Sequence, residues 1–258
     1  MANFFLITLL LIYTPFALSA EFIIGINERE VFRYKDESGR WVGKDIELIN
    51  AVFRRTPHSY KLLAMPWARV LKSLELGQID MTVAAAALPE RKQYAWFSTE
   101  PFRYSYYTLF IRKDREEVFK HVQSLADIKH SPALIGALRS AVYTDSYYTL
   151  LQDQGFAKHL VFIDDDQSLP ALTMKGRVDG YIESETEGMH YLHANPEYRD
   201  KIEPLLRVTS QAESSSFIMF SKQSFPSTEL ATFSAALKAV HDSGEYQHIA
   251  ERYQPLNN

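Results

Sequence analysis

Val70-Leu71-Lys72-Ser73-Leu74-Glu75-Leu76-Gly77-Gln78-Ile79-Asp80-Met81-Thr82-Val83-Ala84-Ala85-Ala86 changes period in mid-course. Val70, Leu71, Leu74 and Leu76 recur at helical spacing, Gly77 offers a helix stop, and Ile79 to Ala86 has the length and apolarity of a strand. Upstream, Tyr60 to Met65 is strand-like and Pro66-Trp67 breaks it. Ile46, Leu48, Ile49, Val52 and Phe53 mark an amphipathic helix that stops near Pro57, and Phe22-Ile23-Ile24-Gly25-Ile26 is a short buried strand. Strand, helix, strand, helix, strand predicts a parallel α/β unit whose first strand delivers the charged loop Asn27-Glu28-Arg29-Glu30 at its carboxyl end.

The same grammar returns later. Ala133 to Leu138 reads as a strand, Ser140 to Leu151 carries a helix, Leu160 to Ile163 is a strand, and Ser168 to Met174 is a short helix closed by Gly176. Gly77-Gln78-Ile79-Asp80 and Gly176-Arg177-Val178-Asp179 each follow a helix and open a strand, their glycines 99 residues apart. Two α/β lobes fit this echo better than one sheet. Phe217 to Phe220 then reads as a strand, and Thr228 to Tyr253 as helix interrupted at Ser243-Gly244.

The 258 residues carry 28 Lys+Arg against 32 Asp+Glu, with 46% hydrophobic and 23% charged residues and no cysteine. That balance excludes a disordered chain and a general basic field for nucleic acid. Zero cysteine excludes disulfides, thiolate zinc sites, thiol nucleophiles and a lipid-modified cysteine anchor. Phe4 to Ile12 is almost wholly apolar, and Ala17-Leu18-Ser19-Ala20 precedes the first charge, Glu21. Residues 1–20 therefore read as a signal peptide cleaved after Ala20, since the apolar run is shorter than the roughly 20 residues of a membrane span. An uncleaved amino-terminal anchor is the alternative.

Six stretches in order then resemble the periplasmic solute-binding proteins of family 3, which include polar amino-acid receptors of ABC importers. They are Gly43-Lys44-Asp45-Ile46, Pro66-Trp67 with Gly77-Gln78-Ile79-Asp80, Leu88-Pro89-Glu90-Arg91, Phe97-Ser98-Thr99-Glu100-Pro101-Phe102, Ser124-Leu125-Ala126-Asp127-Ile128, and Ser243-Gly244-Glu245-Tyr246 with Ile249 to Tyr253. The resemblance implies the two-lobed type II fold, an α/β architecture of parallel sheets flanked by helices. It places residues 21–110 and 216–258 in lobe 1 and 111–215 in lobe 2, with crossover strands near Leu109 to Arg112 and Ser214 to Phe220, closing like a hinge. It further implies a monomer without cofactor or nucleic-acid partner, acting in the periplasm with an ABC permease or a membrane sensor.

The resemblance also assigns candidate ligand contacts. Trp67 presents a ring to the cleft, or else covers the helix it starts. Arg91 matches the arginine that clamps a ligand carboxylate, a task suited to its planar fork of donors. Ala84, Ala86 and Leu88 stand where such receptors use hydroxyls and a carbonyl, which leaves backbone donors at Ala86 and Leu88. Arg139 and Ser140-Ala141-Val142 replace the donor-bearing Gly-Ser-Thr of the second lobe. Ser184 stands where an aspartate pairs an α-ammonium, flanked by Glu183 and Glu185, which strand alternation would put on one face. Arg29 adds a third guanidinium unless Glu28 and Glu30 cancel its charge. Arg29, Trp67, Ala86, Arg91, Arg139, Ser140 and Ser184 are thus the expected ligand-binding set, and they favour a small carboxylate-bearing solute. The weaker features are His190 and His193 as a metal pair, Asp164-Asp165-Asp166 as a helix cap, and the Tyr104, Tyr106, Tyr107 cluster near the crossover.

Two functions compete. The leading one is a receptor that performs no bond chemistry. The other is an enzyme on the same scaffold, resembling periplasmic cyclohexadienyl dehydratases, with Glu183 or Glu185 as general acid.

Overall fold

A computed structural model of the protein describes residues 19–139, 141, 143–164, 168–210 and 214–253. Residues 1–18, most of the expected leader, lie outside them. The first body begins with β1 (Glu21–Ile26), the hairpin β2 (Tyr34–Lys35) and β3 (Trp41–Val42), and α1 (Lys44–Phe53). It continues through β4 (Ser59–Ala64), α2 (Trp67–Glu75), β5 (Met81–Ala85), β6 (Ala95–Phe97) and β7 (Arg103–Tyr104). The second body holds β8 (Tyr107–Arg112), α3 (Glu116–Phe119), β9 (Ile135–Leu138), α4 (Asp145–Leu150), α5 (Gln154–Ala157), β10 (Leu160–Ile163) and α6 (Leu169–Met174). It ends with β11 (Gly180–Ser184), α7 (Glu185–Ala194), α8 (Pro196–Arg199) and β12 (Ile202–Arg207). The chain then returns to the first body as β13 (Ser215–Ser221), α9 (Leu230–Asp242) and α10 (Glu245–Arg252).

The two main sheets share one plan. The first runs β4-β1-β5-β13-β6, with β7 also on β13, and the second runs β10-β9-β11-β8-β12. In each, the first three strands are parallel and the fourth is antiparallel to the third. That fourth strand, β13 or β8, is in each case the one that arrives directly from the other lobe.

Both sheets are covered on two faces, as period-2 side chains on a buried parallel sheet require. In lobe 1, Phe22, Ile24 and Ile26 pack with α1, α9 and α10 residues such as Leu48, Phe233 and Ile249, while Val70 and Leu74 of α2 close the opposite face over Ala85 and Met219. In lobe 2, Leu109 and Ile111 join one core with Ile135 and Tyr147, and Phe110 between them joins another with Leu169, Tyr181 and Leu192.

The four-residue echo in the sequence is a repeated piece of structure. Gly77 and Gly176 both adopt left-handed backbone, φ 70° and 67°, as they end α2 and α6. Gln78 N–H donates to Ser73 O and Arg177 N–H to Leu172 O, so both helices close with a bond reaching five residues back. Asp80 accepts from Ile23 N–H at 2.8 Å while its own N–H donates to Ile23 O; Asp179 accepts from Leu134 N–H at 2.9 Å while its N–H donates to Leu134 O. Each aspartate thus ties the start of its own strand to the second strand of its sheet, inside β1 at Ile23 and just ahead of β9 at Leu134.

Both crossings fall earlier in the chain than the sequence places them. Leu109 to Arg112 belongs wholly to the second sheet and Ser215 to Phe220 wholly to the first, so the outward passage lies between β7 and β8 and the return between β12 and β13. The two straps run side by side: Ser105 N–H donates to Ser214 O at 2.7 Å, and Tyr107 N–H donates to Thr209 Oγ1 at 2.8 Å. The three tyrosines divide between the lobes, with Tyr104 edge-on to Tyr246, Tyr106 beneath the Arg207 guanidinium and Tyr107 against Tyr143.

Candidate functional site

In a parallel α/β sheet, the loops that meet a ligand leave the carboxyl ends of the strands. Here β1 delivers Asn27 to Arg33, β4 delivers Pro66-Trp67, and β5 delivers Ala86 to Arg91, three neighbouring strands opening on one edge. In the second lobe, β9 delivers Arg139, β10 delivers Asp164, and β11 ends at Ser184.

Arg91 opens a 3-10 turn over Arg91–Gln93, and its N–H donates to Leu88 O at 3.0 Å. The residue is only 6% exposed, and Nη1 donates to Ala86 O at 3.2 Å. Burial lowers its pKa, with Tyr94 and Glu90 opposing at longer range. A guanidinium offers five donors, so one carbonyl leaves most of the fork for another acceptor. Ala86 and Leu88, expected as backbone donors, both meet Arg91 as acceptors, through their carbonyls. Trp67, the first residue of α2, is half-buried and packs on the cluster of Val70, Leu74, Ile79 and Ala85. It therefore covers the helix it starts and keeps part of its surface outside that core.

The second lobe brings its residues in differently. Ser184 is buried and caps α7, its hydroxyl accepting from Glu187 N–H at 3.5 Å. Arg139 is exposed and donates to Asp164 Oδ1 at 2.9 Å, its guanidinium 5.8 Å from the Phe162 ring centre. Ser140 lies outside the described residues, as do Val142, Asp165 and Asp166. Glu183 and Glu185 do not share a face: β11 stops at Ser184 and α7 starts at Glu185, so the two-residue period lapses between them. Glu185 turns to Arg207 at 2.7 Å. Among the described residues no cluster of metal-ligating side chains includes His190 or His193.

Glu183 turns toward the first lobe, where it meets Arg29. Arg29 Nη2 lies 2.6 Å from Glu183 Oε1, its Nε donates to Glu187 Oε1 at 3.1 Å, and Nη2 also reaches Glu187 Oε2. The three side chains are only 12%, 13% and 11% exposed. Arg29 is thus held by acids from the other lobe rather than by Glu28 and Glu30 beside it. Glu187 has no sequence signal of its own, being a first-turn residue of an ordinary helix.

The loop that carries Arg29 is anchored by the aspartate of Gly43-Lys44-Asp45. Asp45, fully buried, lies between two guanidiniums: it accepts from Arg33 Nη1 and makes an ion-pair contact of 2.7 Å with Arg103 Nε, outside hydrogen-bonding geometry. Arg33 donates onward to Asn27 O at 2.7 Å and to Asn27 Oδ1 at 2.6 Å, and the Arg103 guanidinium sits 3.9 Å from the Phe32 ring centre. The loop from β1 is therefore tied at both ends to α1.

The probable amino-acid-binding protein YxeM of Bacillus subtilis (strain 168) is 23% identical over 166 residues, 60% of this chain and 55% of its own, so the chain spans about half the length of that relative. The arginine-binding extracellular protein ArtP of the same strain is 24% identical over 227 residues, 86% of this chain and 81% of its own. An ancestral arginine-binding protein bound to arginine superposes with a TM-score of 0.74 at 22% identity, covering 90% of this chain and 97% of that one, which shows the two-lobed fold. Among the described residues no helix is long and apolar enough to cross a membrane. Fold, motif order and a profile match over residues 22–255 agree: the chain belongs to the bacterial extracellular solute-binding proteins, family 3.

Proposed function

We propose that the protein captures a small carboxylate-bearing solute between its lobes in the periplasm and presents the closed form to an ABC permease or a membrane sensor. The observation that carries this reading is Arg91: a buried guanidinium at the carboxyl edge of the first sheet, with one carbonyl as its hydrogen-bond partner. A cation held out of water is stabilised strongly by an incoming carboxylate, and the planar fork takes both oxygens. Trp67 offers a ring from the end of β4, two strands away from β5 in the same sheet, suited to covering the apolar flank of a ligand. Ser184, a hydroxyl where an α-ammonium would ask for an acid, supports recognition led by the carboxylate end. The dehydratase-like alternative is disfavoured by Glu183, which sits in an ion pair as a hydrogen-bond acceptor.

Isothermal titration of wild type and Arg91→Ala against a panel of amino acids, dicarboxylates and keto acids tests the assignment. Removing one partner of a buried charge pair costs about 2–5 kcal/mol, so affinity should fall at least thirtyfold. Equal affinity in both proteins removes Arg91 from the site. Recovery of each acid unchanged after incubation separates receptor from enzyme.

A further inference from the structure

The bonding of β1 to β4 reaches one residue upstream of their paired register. That register begins at Glu21 opposite Ser59, and Ala20 extends it: its carbonyl accepts from Ser59 N–H at 3.0 Å and its N–H donates to His58 Nδ1 at 3.2 Å. Its methyl packs against the core of the first lobe. Every group that Ala20 owns is therefore engaged with the folded body, whereas Ser19 before it is exposed.

His58 is built to receive that nitrogen. Its side chain is only 2% exposed, and its ring lies edge-on to Phe22 at 5.1 Å and parallel to Phe233 at 5.9 Å. A backbone N–H can only donate, so Nδ1 is the accepting nitrogen and the ring proton sits on Nε2, 2.9 Å from Glu229 Oε2. Glu229, the residue just ahead of α9, thus stands behind the imidazole while the lone pair in front of it meets Ala20. A lone pair backed by a carboxylate suits an ammonium better than an amide, since a charge-assisted hydrogen bond is roughly twice as strong as a neutral one.

The chemistry of leader removal is a separate observation that meets the same residue. A leader peptidase reads small side chains one and three residues before its cut. A cut after Ala20 puts bulky Leu18 at the third place, whereas a cut after Ser19 puts Ser19 and Ala17 at the two places.

We propose that the leader is removed between Ser19 and Ala20, one residue upstream of the cut read from the sequence, and that the α-ammonium so formed docks on His58, with Glu229 as its counter-charge across the ring. Water supplies the hydroxyl that ends the leader as the Ser19 carboxylic acid and the proton that frees the Ala20 amine. At neutral pH the proton of that acid passes through solvent to the amine, leaving a carboxylate and an ammonium. The ligand of this site is thus the amino terminus of the chain itself, held at the opposite end of β1 from the loop that carries Arg29. The proposal rests on the reading of a cleaved leader and is independent of Arg91.

The test starts from the full precursor, all 258 residues, exported in a Gram-negative host and recovered from the periplasm. Intact mass and amino-terminal sequencing should give residues 20–258 with Ala20 first. A chain starting at Glu21, or cut anywhere else, overturns the proposal and leaves the leader reading standing; an uncut chain overturns both. Docking is then read from chains 20–258 and 21–258 made without added residues. The shorter one loses two hydrogen bonds and a buried methyl, and should melt about 2–4 °C lower. His58→Phe keeps a ring between Phe22 and Phe233 and deletes both nitrogens; in that background the gap between the two starts should shrink by half or more. Equal melting of the two starts, or a gap that His58→Phe leaves unchanged, overturns the docking of the amine.

Discussion

Arg29 Nη2 lies 2.6 Å from Glu183 Oε1, so a guanidinium from the first lobe is seated on a carboxylate of the second, 154 residues away in sequence. With Glu187 as the other acceptor, the Arg29 side chain ties the two lobes directly. Arg29→Ala leaves two largely desolvated carboxylates facing each other, and breaking such an arrangement costs about 3–5 kcal/mol unless the lobes part and let water in. The expected response is parting. Small-angle scattering of the unliganded variant should give a larger radius of gyration than wild type. Identical scattering curves would show that the straps alone hold the lobes together.

Asp80 and Asp179 hold equivalent places, and their removal should have the same kind of effect in both lobes. Each accepts from an N–H on the second strand of its sheet or just before it, Ile23 in β1 and Leu134 immediately ahead of β9. Replacement by alanine strands that donor, at about 1–2 kcal/mol for Asp80, and less for Asp179 because Leu134 is exposed. Asparagine keeps an oxygen in place and should restore most of the loss in urea denaturation. An asparagine variant as unstable as the alanine one would mean that charge, not the hydrogen bond, is what matters.

The architecture was legible because it is written locally. Helical spacing from Val70 to Leu76, the stop at Gly77 and the apolar run after it translate directly into α2 and β5, and the echo at Gly176 marks the second copy. Trp67, Ala86, Arg91, Arg139 and Ser184 were nominated by the resemblance, and they lie at or after the ends of β4, β5, β9 and β11. The Arg29 tie was not legible, since it joins side chains from two lobes and no spacing records it. Glu183 and Glu185 were assigned one face because alternation was extended one residue past the end of β11, and a strand's period does not survive into the first turn of a helix. Where Arg139 points depends on Asp164 at the end of the adjacent strand, a tertiary choice between two exposed charges.

Asp45 is the only anion in ion-pair contact with Arg33 and Arg103 among the described residues. Asp45→Asn is nearly isosteric yet leaves two buried guanidiniums, with Lys44 beside them, lacking their counter-charge. The loss should be about 3–5 kcal/mol in denaturant unfolding. Because Arg33 also holds Asn27, the same change should loosen the loop that presents Arg29, raising hydrogen exchange at Asn27 to Arg33 before any global unfolding. Protection there equal to wild type would separate the buried triad from the placement of the loop.

Lys44 reports on the same cluster through pH. Burial lowers its ammonium pKa from the ordinary 10.5 to about 8, with Arg103 adding to the shift and Asp45 opposing it. A folded pKa below the unfolded one means that between these two values the unfolded chain binds more protons, so stability from this group rises as pH climbs from 8 toward 10.5. Below pH 8 the charged form is a constant burden of about 3 kcal/mol. Lys44→Met keeps the stem and removes the charge. It should be more stable than wild type at pH 7 by about 2 kcal/mol, and the difference should shrink steadily as both proteins are compared by urea midpoint at pH 7, 8.5 and 10. The comparison cancels the tyrosines and other lysines that titrate in the same range, because both proteins carry them. A variant whose midpoint stays parallel to wild type across the three values would show that the Lys44 ammonium keeps its water in the folded protein.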